Sequence, residues 1–392
     1  MPIDLAPTAG TDPARPIGDG ASVTAKLRVA MVLPGLGPGG SEGVVSFIAN
    51  IWAERGWHVS VVTLEGGLAP AYYPIDPRVD IRRLDVPVRR SHLLRALWMA
   101  AKRVRLLRRE FQLGSPDLII SFLTRTNVLT LLATRDLGIP VIVSERNNPE
   151  LQTVGPTWSW LRRRLYPSAF GLVTMTKGAM NLFPPKLRAR DWVIPNQVNL
   201  PTDLQPNRGN KIVAAVGRLV PQKGFDLLLD AFARIAATHP DWSLVIWGEG
   251  PERNRLTAQR DKLGLRDRVL FPGVSERPGV WIETADVFVL SSRYEGWGIV
   301  LMEAMAAGLP VIAFDCRFGP GEMITDGEDG LLVPSGDVDA LATAFSRLIG
   351  DESLRRQLGD GAAHSALRFT SERIMERWDE VIRAAVARQG PG

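Results

Sequence analysis

Two stretches of this chain follow one plan, and that plan restricts the fold more than any other feature. Residues 27–63 read as an apolar strand (LRVAMVL), a glycine-rich loop (PGLGPGGSEG), an amphipathic helix (VVSFIANIWAERG) and a second strand (HVSVVT). Residues 211–248 repeat the order with different residues: KIVAAVG, RLVPQKG, FDLLLDAFARIAATHP and SLVIWG. Each is the opening of a strand–helix–strand unit, which requires neighbouring strands to be parallel. Further strand candidates follow each opening: LIISFL, PVIVSE and GLVTMT in the first half, RVLFPG, DVFVLSS, PVIAFD and GLLVPS in the second. The fold class is therefore α/β, with two Rossmann-like domains facing each other across a cleft. A chain of 392 residues suits two domains of ordinary size. The expected division is a disordered tail over 1–25, a first domain over 26–193, a polar linker with three prolines over 194–210 and a second domain over 211–370. A last helix, within 371–392, is expected to pack back towards the first domain.

Composition narrows the setting. With 45% hydrophobic and 23% charged residues, each domain can bury a core. No segment reaches the roughly 18 consecutive apolar residues of a spanning helix, and the N-terminus lacks the apolar centre of a signal peptide. Cys316 is the one cysteine, so no internal disulfide forms, which fits a reducing cytoplasm. The net charge of +5 leaves nucleic acid, an anionic membrane surface or phosphorylated substrates as partners.

The chemistry concentrates in the second half. Glu295 follows a predicted strand over 286–292, and Glu303 lies in the short helix that Gly308 and Pro310 close. Both fall at the carboxyl edge of the sheet, where open α/β sheets bind ligands. Carboxylates offer only acceptors, so a vicinal diol of a sugar or ribose is a natural partner. In GRLVPQKG, Arg218 and Lys223 flank a loop that leads into a helix, whose amino end favours anions. Together they suit a diphosphate. Two solvated loop cations would be the plainer reading of that loop alone. The one Asp-x-Asp, Asp337 and Asp339, sits at a helix start and reads as a cap, and the four histidines show no ligand spacing. No metal and no cofactor is expected.

The segments GRLVPQKG and EGWGIVLMEAMAAGLPVI resemble glycosyltransferase family 4, and the likeness extends over roughly 27–388. That family has the B-type glycosyltransferase fold and retains anomeric configuration. The resemblance implies that Gly217, Arg218 and Lys223 hold the donor diphosphate, Glu303 the nucleotide ribose, and Glu295 the transferred sugar. Arg218, Lys223 and Glu295 would be the catalytic set, with backbone amides of Gly296, Trp297, Gly298 and Ile299 beside the sugar and phosphates. Asn196, in IPNQV, matches the family's usual asparagine before the crossover, and is equally well read as a turn residue.

Gly35, Gly37 and Gly40 spell a dinucleotide fingerprint after a strand, but Pro38 interrupts it and the second domain carries a better phosphate site. The resemblance reads this loop as flexible, with Gly39 and Gly40 letting backbone approach donor phosphates and acceptor. Glu42 is explained by the helix dipole. In VIVSERNNP, Arg146 stands where many family members carry a histidine. An arginine cannot be a general base, so it suits a phosphate instead. SERN, with SFLTRTN upstream and FDC-x2-GP-x-E downstream, resembles a bacterial subgroup that builds exopolysaccharide, lipopolysaccharide or lipid-linked oligosaccharides.

The expected reaction is therefore retaining transfer of a hexose or N-acetylhexosamine from a nucleotide sugar, UDP-linked rather than the rival GDP-mannose, to a lipid-linked saccharide. Same-face attack, with the leaving phosphate oxygen taking the acceptor's proton, needs no enzymic nucleophile. Residues 89–109 hold eight Arg or Lys and no acid, with Leu93, Leu94, Leu97, Ala101, Val104 and Leu107 at helical spacing. Such a helix, helped by WSWLRRRLYP at 158–167, suits an anionic membrane surface and places the protein peripherally on the inner face of the cytoplasmic membrane. The competing readings are an NAD-dependent oxidoreductase, a nucleotide-sugar epimerase and a basic nucleic-acid-binding protein; the last lacks any recognition motif, so no nucleic-acid partner is expected.

Overall fold

The computed structural model describes residues 26–387 apart from 38, 67–69, 87–92, 147–153, 199–203, 205, 207, 276 and 278. The expected tail over 1–25 lies outside the described residues. The first sheet contains β1 (Arg28–Leu33), β2 (His58–Thr63), β3 (Asp80–Arg83), β4 (Leu118–Phe122), β5 (Val141–Glu145), β6 (Gly171–Thr174) and β7 (Asp191–Val193). The second contains β8 (Ile212–Val216), β9 (Ser243–Trp247), β10 (Val269–Gly273), β11 (Val287–Leu290), β12 (Val311–Asp315) and β13 (Leu331–Pro334). The helices of the first half are α1 (Gly40–Glu54), α2 (Leu93–Gly114), α3 (Thr124–Ala133), α4 (Pro156–Leu165) and α5 (Lys177–Asn181). Those of the second are α6 (Phe225–Ala236), α7 (Arg253–Lys262), α8 (Ile299–Ala306), α9 (Pro320–Met323), α10 (Val338–Gly350), α11 (Glu352–Ala366) and α12 (Ser371–Val386).

The strand orders are β3-β2-β1-β4-β5-β6-β7 and β10-β9-β8-β11-β12-β13, and every pairing between these strands is parallel. Parallel sheets need both faces covered. Accordingly β4 and β5 are buried along their whole length, and apolar clusters lie on both faces of each sheet. Sequence order reverses between β1 and β4 in one sheet and between β8 and β11 in the other. Loops leaving the carboxyl ends of such strands diverge to opposite faces and open a crevice. Four loops are thereby selected as site builders: those after β1, β4, β8 and β11.

Two edge strands, β3 and β7, lack a readable sequence signal. DIRR contains one apolar residue and DWV is three residues long, so neither shows the run that marks an inner strand. Charged, short edges also resist pairing with another chain.

The last helix crosses back to the first sheet. Ile374, Met375, Trp378, Val381, Ile382 and Ala385 form one stripe of α12 and join the core that α1 and β1 build. Trp378 is fully buried and meets the ring of Trp52 edge-on, 6.5 Å between centroids. At the rim of this contact Arg55 pairs with Asp379 at 2.7 Å. A second bridge joins the halves: the Glu322 carboxylate accepts the amides of Lys177 and Gly178, each at 2.7 Å. A carboxylate at the amino end of α5 is the sign of charge that end favours.

The basic helix departs from a simple buried stripe. Leu107 and Phe111 of α2 are buried and Val104 packs beside them. Towards its amino end the helix leaves the core, and Leu97 and Trp98 are 57% and 59% exposed. The side chains of Leu93 and Leu94 lie outside the described residues.

Candidate active site between the two sheets

The four selected loops meet in one cavity of about 460 Å³, lined by Gly39, Gly40 and Glu42 after β1, Leu123 after β4, Lys223 after β8, and Glu295, Gly296, Trp297, Gly298 and Ile299 after β11. Arg146 and Asn196 complete it from the end of β5 and from the crossover. The sequence-predicted residues thus come together with three exceptions: Gly217, Arg218 and Glu303 do not line this cavity.

Lys223 and Glu295 are one unit. The Lys223 ammonium lies 2.7 Å from Glu295 Oε1, with side-chain exposures of 18% and 7%. Ser292 donates to the same oxygen at 2.6 Å. The loop after β8 is itself tied to the loop after β11, since Ser291 Oγ donates to the Lys223 carbonyl at 2.9 Å and Arg293 N to the Gln222 carbonyl at 2.8 Å. This closeness explains Gly224: it adopts φ +64°, and a Cβ there would lie 2.0 Å from the Ser291 carbonyl oxygen. A Cβ at Gly217 would lie 3.0 Å from Lys223 Cε, so Gly217 lets the lysine stem pass. Arg218 is exposed at the following position, and its guanidinium makes no hydrogen bond or ion pair among the described residues.

Gly298, at φ +95°, turns the chain into α8, whose first amides face the cavity. The amino end of α1 faces the same space from the other half, and a Cβ at Gly40 would lie 3.5 Å from Ile299 Cδ1. Trp297 also lines the cavity. Its ring is buried, donates to Met302 Sδ at 3.4 Å and meets Phe369 edge-on. Glu303 lies one turn beyond Ile299 on the same face of α8. Burial pushes its carboxyl up to about 7, and Tyr73 of the first half lies within its field. Glu42, which the helix dipole alone had explained, lines the cavity; burial raises its carboxyl and Glu65 adds to the effect.

Arg146 is 5% exposed and mostly committed to the protein. Nε donates to Ser144 Oγ at 3.0 Å, and Nη1 to the Ile194 carbonyl at 3.0 Å and to Asn196 Oδ1 at 3.1 Å. The guanidinium stacks 5.5 Å from the Trp378 ring, and Nη2 is buried without a partner among the described residues. Burial lowers its pKa to about 9, so it stays a cation at neutral pH. Beside it Glu145 turns the other way, accepting from Thr124 Oγ1 at 2.9 Å and from Tyr166. Sequence reasoning missed Ser292 and Leu123. Leu123 has φ +72°, an uncommon conformation for a leucine, and no residue pattern announces it.

Residues 197–365 match the family described as Glycosyl transferases group 1, and residues 39–197 match the Glycosyl transferase 4-like domain. Together the two matches span residues 39–365, so the chain is built of a Glycosyl transferase 4-like domain followed by a group 1 glycosyltransferase domain. It is 35% identical over 274 residues, 68% of its length, to an exopolysaccharide phosphotransferase of Streptomyces coelicolor, and spans 29% of that relative. It is 26% identical to an alpha-1,4-N-acetyl-D-galactosaminyltransferase of Campylobacter jejuni named for a diNAcBac-PP-undecaprenol substrate, over 91% of this chain and 98% of the relative. The structure of a sucrose-phosphate synthase from Thermosynechococcus elongatus superposes with a TM-score of 0.77 at 23% identity, covering 92% of this chain and 100% of the other. The two-domain B-type glycosyltransferase fold follows.

The ion pair makes a stability prediction. Lys223→Met strands the buried Glu295 carboxylate and costs about 1–3 kcal/mol. Adding Glu295→Gln to that variant restores part of the loss. Urea unfolding of both single variants and the double variant checks this; costs that simply add would show that the two side chains are not coupled.

Proposed function

We propose that this glycosyltransferase moves a hexose or N-acetylhexosamine, with retention, from a nucleotide sugar to a lipid-linked saccharide in the synthesis of a bacterial exopolysaccharide, lipopolysaccharide or related glycan. The observation that carries the reading is the cavity where Lys223, Glu295 and the amino end of α8 face the amino end of α1. Amides at α8 receive diphosphate oxygens. The Lys223 ammonium has three protons, so it keeps Glu295 and still donates to the leaving phosphate. Arg218 adds charge from the loop's exposed side, Glu295 accepts from the transferred sugar, and Glu303 accepts from the ribose.

Retention by same-face attack is supported by the state of Glu295. Its Oε1 already holds two donors, which suits an acceptor of sugar hydroxyls better than an attacking nucleophile. The leaving phosphate oxygen takes the acceptor's proton, and the protein supplies position and charge. The pathway reading rests on the names of the Streptomyces and Campylobacter relatives, and the preference for a UDP-linked donor over GDP-mannose is part of the proposal. A melting panel with UDP, GDP and their sugars tests it, because a ligand held by the folded state raises the melting temperature. A UDP-sugar is expected to give the largest rise and the product to keep the donor's anomeric configuration; an inverted product would refute retention.

Glu303 gives the donor a pH dependence. With its carboxyl near 7, it is charged above that pH and neutral below it. Ribose hydroxyls donate to the charged form, so donor binding weakens by about tenfold from pH 8 to pH 6 and releases protons near pH 7. Calorimetry in buffers of different ionisation enthalpy reads both effects. Glu303→Gln should flatten the profile, and an unchanged profile would remove Glu303 from the ribose site.

The lipid-linked acceptor implies a bilayer, and the first domain offers a surface for one. Leu97 and Trp98 on α2 are 57% and 59% exposed and Trp160 on α4 54%, and the same two helices carry exposed Arg95, Lys102, Arg105, Arg109, Arg163 and Arg164. α4 has no buried residue. Exposed apolar anchors on helices rich in cations suit an anionic interface, each cation adding about 1 kcal/mol. No helix among the described residues is long and apolar enough to cross a membrane. The protein is expected to float with phosphatidylglycerol vesicles at low salt and not with phosphatidylcholine, and Trp98→Ala with Trp160→Ala to weaken flotation. Equal flotation with both lipids would reject the electrostatic part.

A further inference from the structure

A second groove, of about 510 Å³, is lined by the start of the glycine-rich loop, whose end lines the cavity at Gly39 and Gly40. Gly35 and Gly37 form one wall, Glu65 after β2 and Arg83 at the end of β3 another, and Tyr72 the mouth. Its size is that of a small-molecule site, and no donor contact proposed above uses it.

Its chemistry is that of a neutral polyhydroxyl ligand. Tyr72 is 64% exposed yet fixed: its amide donates to the Leu36 carbonyl at 2.9 Å, and its ring meets the edge of Tyr73 at 5.0 Å. A fixed, exposed ring offers a flat apolar face at little entropic cost, which matches the CH face of a pyranose. The Glu65 carboxylate is exposed and makes no hydrogen bond among the described residues, while its amide holds the loop through the Pro34 carbonyl at 2.8 Å. A Cβ at Gly35 would lie 3.3 Å from Glu65 Oε2, so the glycine leaves this carboxylate room. Glu65 and Arg83, of opposite charge, both line the groove, so its charged side chains balance and favour a neutral ligand.

The groove and the cavity are joined by chain: Tyr73, next to Tyr72, packs on Gly43 of α1, where a Cβ would lie 3.3 Å from its Cζ, one residue from Glu42. Glu42 lines the cavity, and Tyr73 lies in the fields of Tyr72 and Glu42 on its own side and of Glu303 across the gap. At the other end Arg103 of α2 lies in the field of Glu65 and donates to the Val86 carbonyl at 3.1 Å.

We propose that this groove is a saccharide subsite that holds the neutral sugar units behind the reacting one, with Tyr72 stacking on a pyranose and Glu65 accepting its hydroxyls. The proposal rests on the glycosyltransferase reading for which substrate fills it, although binding itself is measured without a donor. Saturation-transfer NMR of the full chain with maltotriose and with chitotriose is the test. At least one trisaccharide is expected to bind the wild type, and Tyr72→Ala or Glu65→Gln to weaken that binding about tenfold, as removal of one stacked ring or one hydrogen bond should. The melting shift given by the nucleotide sugar is expected to persist in both variants. No saturation transfer to either trisaccharide, binding that survives both substitutions, or displacement of the trisaccharide by UDP alone would overturn the subsite. If the variants no longer bind a trisaccharide and no nucleotide raises the wild-type melting temperature, the groove stands as a saccharide site and the donor reading is refuted instead.

Discussion

An ammonium and a carboxylate 2.7 Å apart fix the relation between two loops that the chain separates by 72 residues. Neither side chain could sit there alone without cost, because each is largely withdrawn from water and a buried unpaired charge is strongly unfavourable. The strand order makes the meeting possible. Reversal of sequence order between β8 and β11 sends their loops to opposite faces of one crevice, and the glycine at 224 lets backbone approach backbone at that point. Everything proposed for the diphosphate and the sugar follows from this arrangement: a cation held in place but not exhausted, a carboxylate paired with it, and the amino end of a helix beside them.

The first sheet repeats the geometry with different chemistry. Its own reversal places the glycine-rich loop opposite the donor loops, but no lysine follows β1. The cation on this side is Arg146, buried where β5, the crossover and α12 meet. Two of its three nitrogens serve the protein, so its first task is to hold the crossover at Ile194 and Asn196. The third nitrogen has no partner among the described residues, and a buried cation with spare hydrogen-bonding capacity gains from an anion brought into the cavity.

Much of this was legible from sequence because it was written in local patterns. Apolar runs marked the inner strands, and shorter ones the edges β10 and β13 of the second sheet, and EGWG followed by EAMA marked the loop and helix proposed for the donor. What stayed hidden depended on contacts between distant residues. DIRR and DWV form strands only because a neighbour supplies the ladder. The ring of Trp297 is buried against Phe369, a distant contact that no local pattern announces. Glu42 looked like a dipole partner until the fold set it in the cavity wall. Arg218 and Lys223 looked equivalent in one loop, yet the lysine is enclosed and paired while the arginine is exposed. Periodicity cannot express which of two loop cations a second loop will cover.

The central claim is that one enclosed lysine and its partner carboxylate organise the donor. A crystal structure of the protein with an intact, non-hydrolysed nucleotide sugar tests it most directly. The account predicts a diphosphate oxygen within hydrogen-bond distance of Lys223 Nζ, the Lys223–Glu295 pair preserved, and a sugar hydroxyl on Glu295. A nucleotide sugar bound with its phosphates away from Lys223 and the amino end of α8 would contradict it.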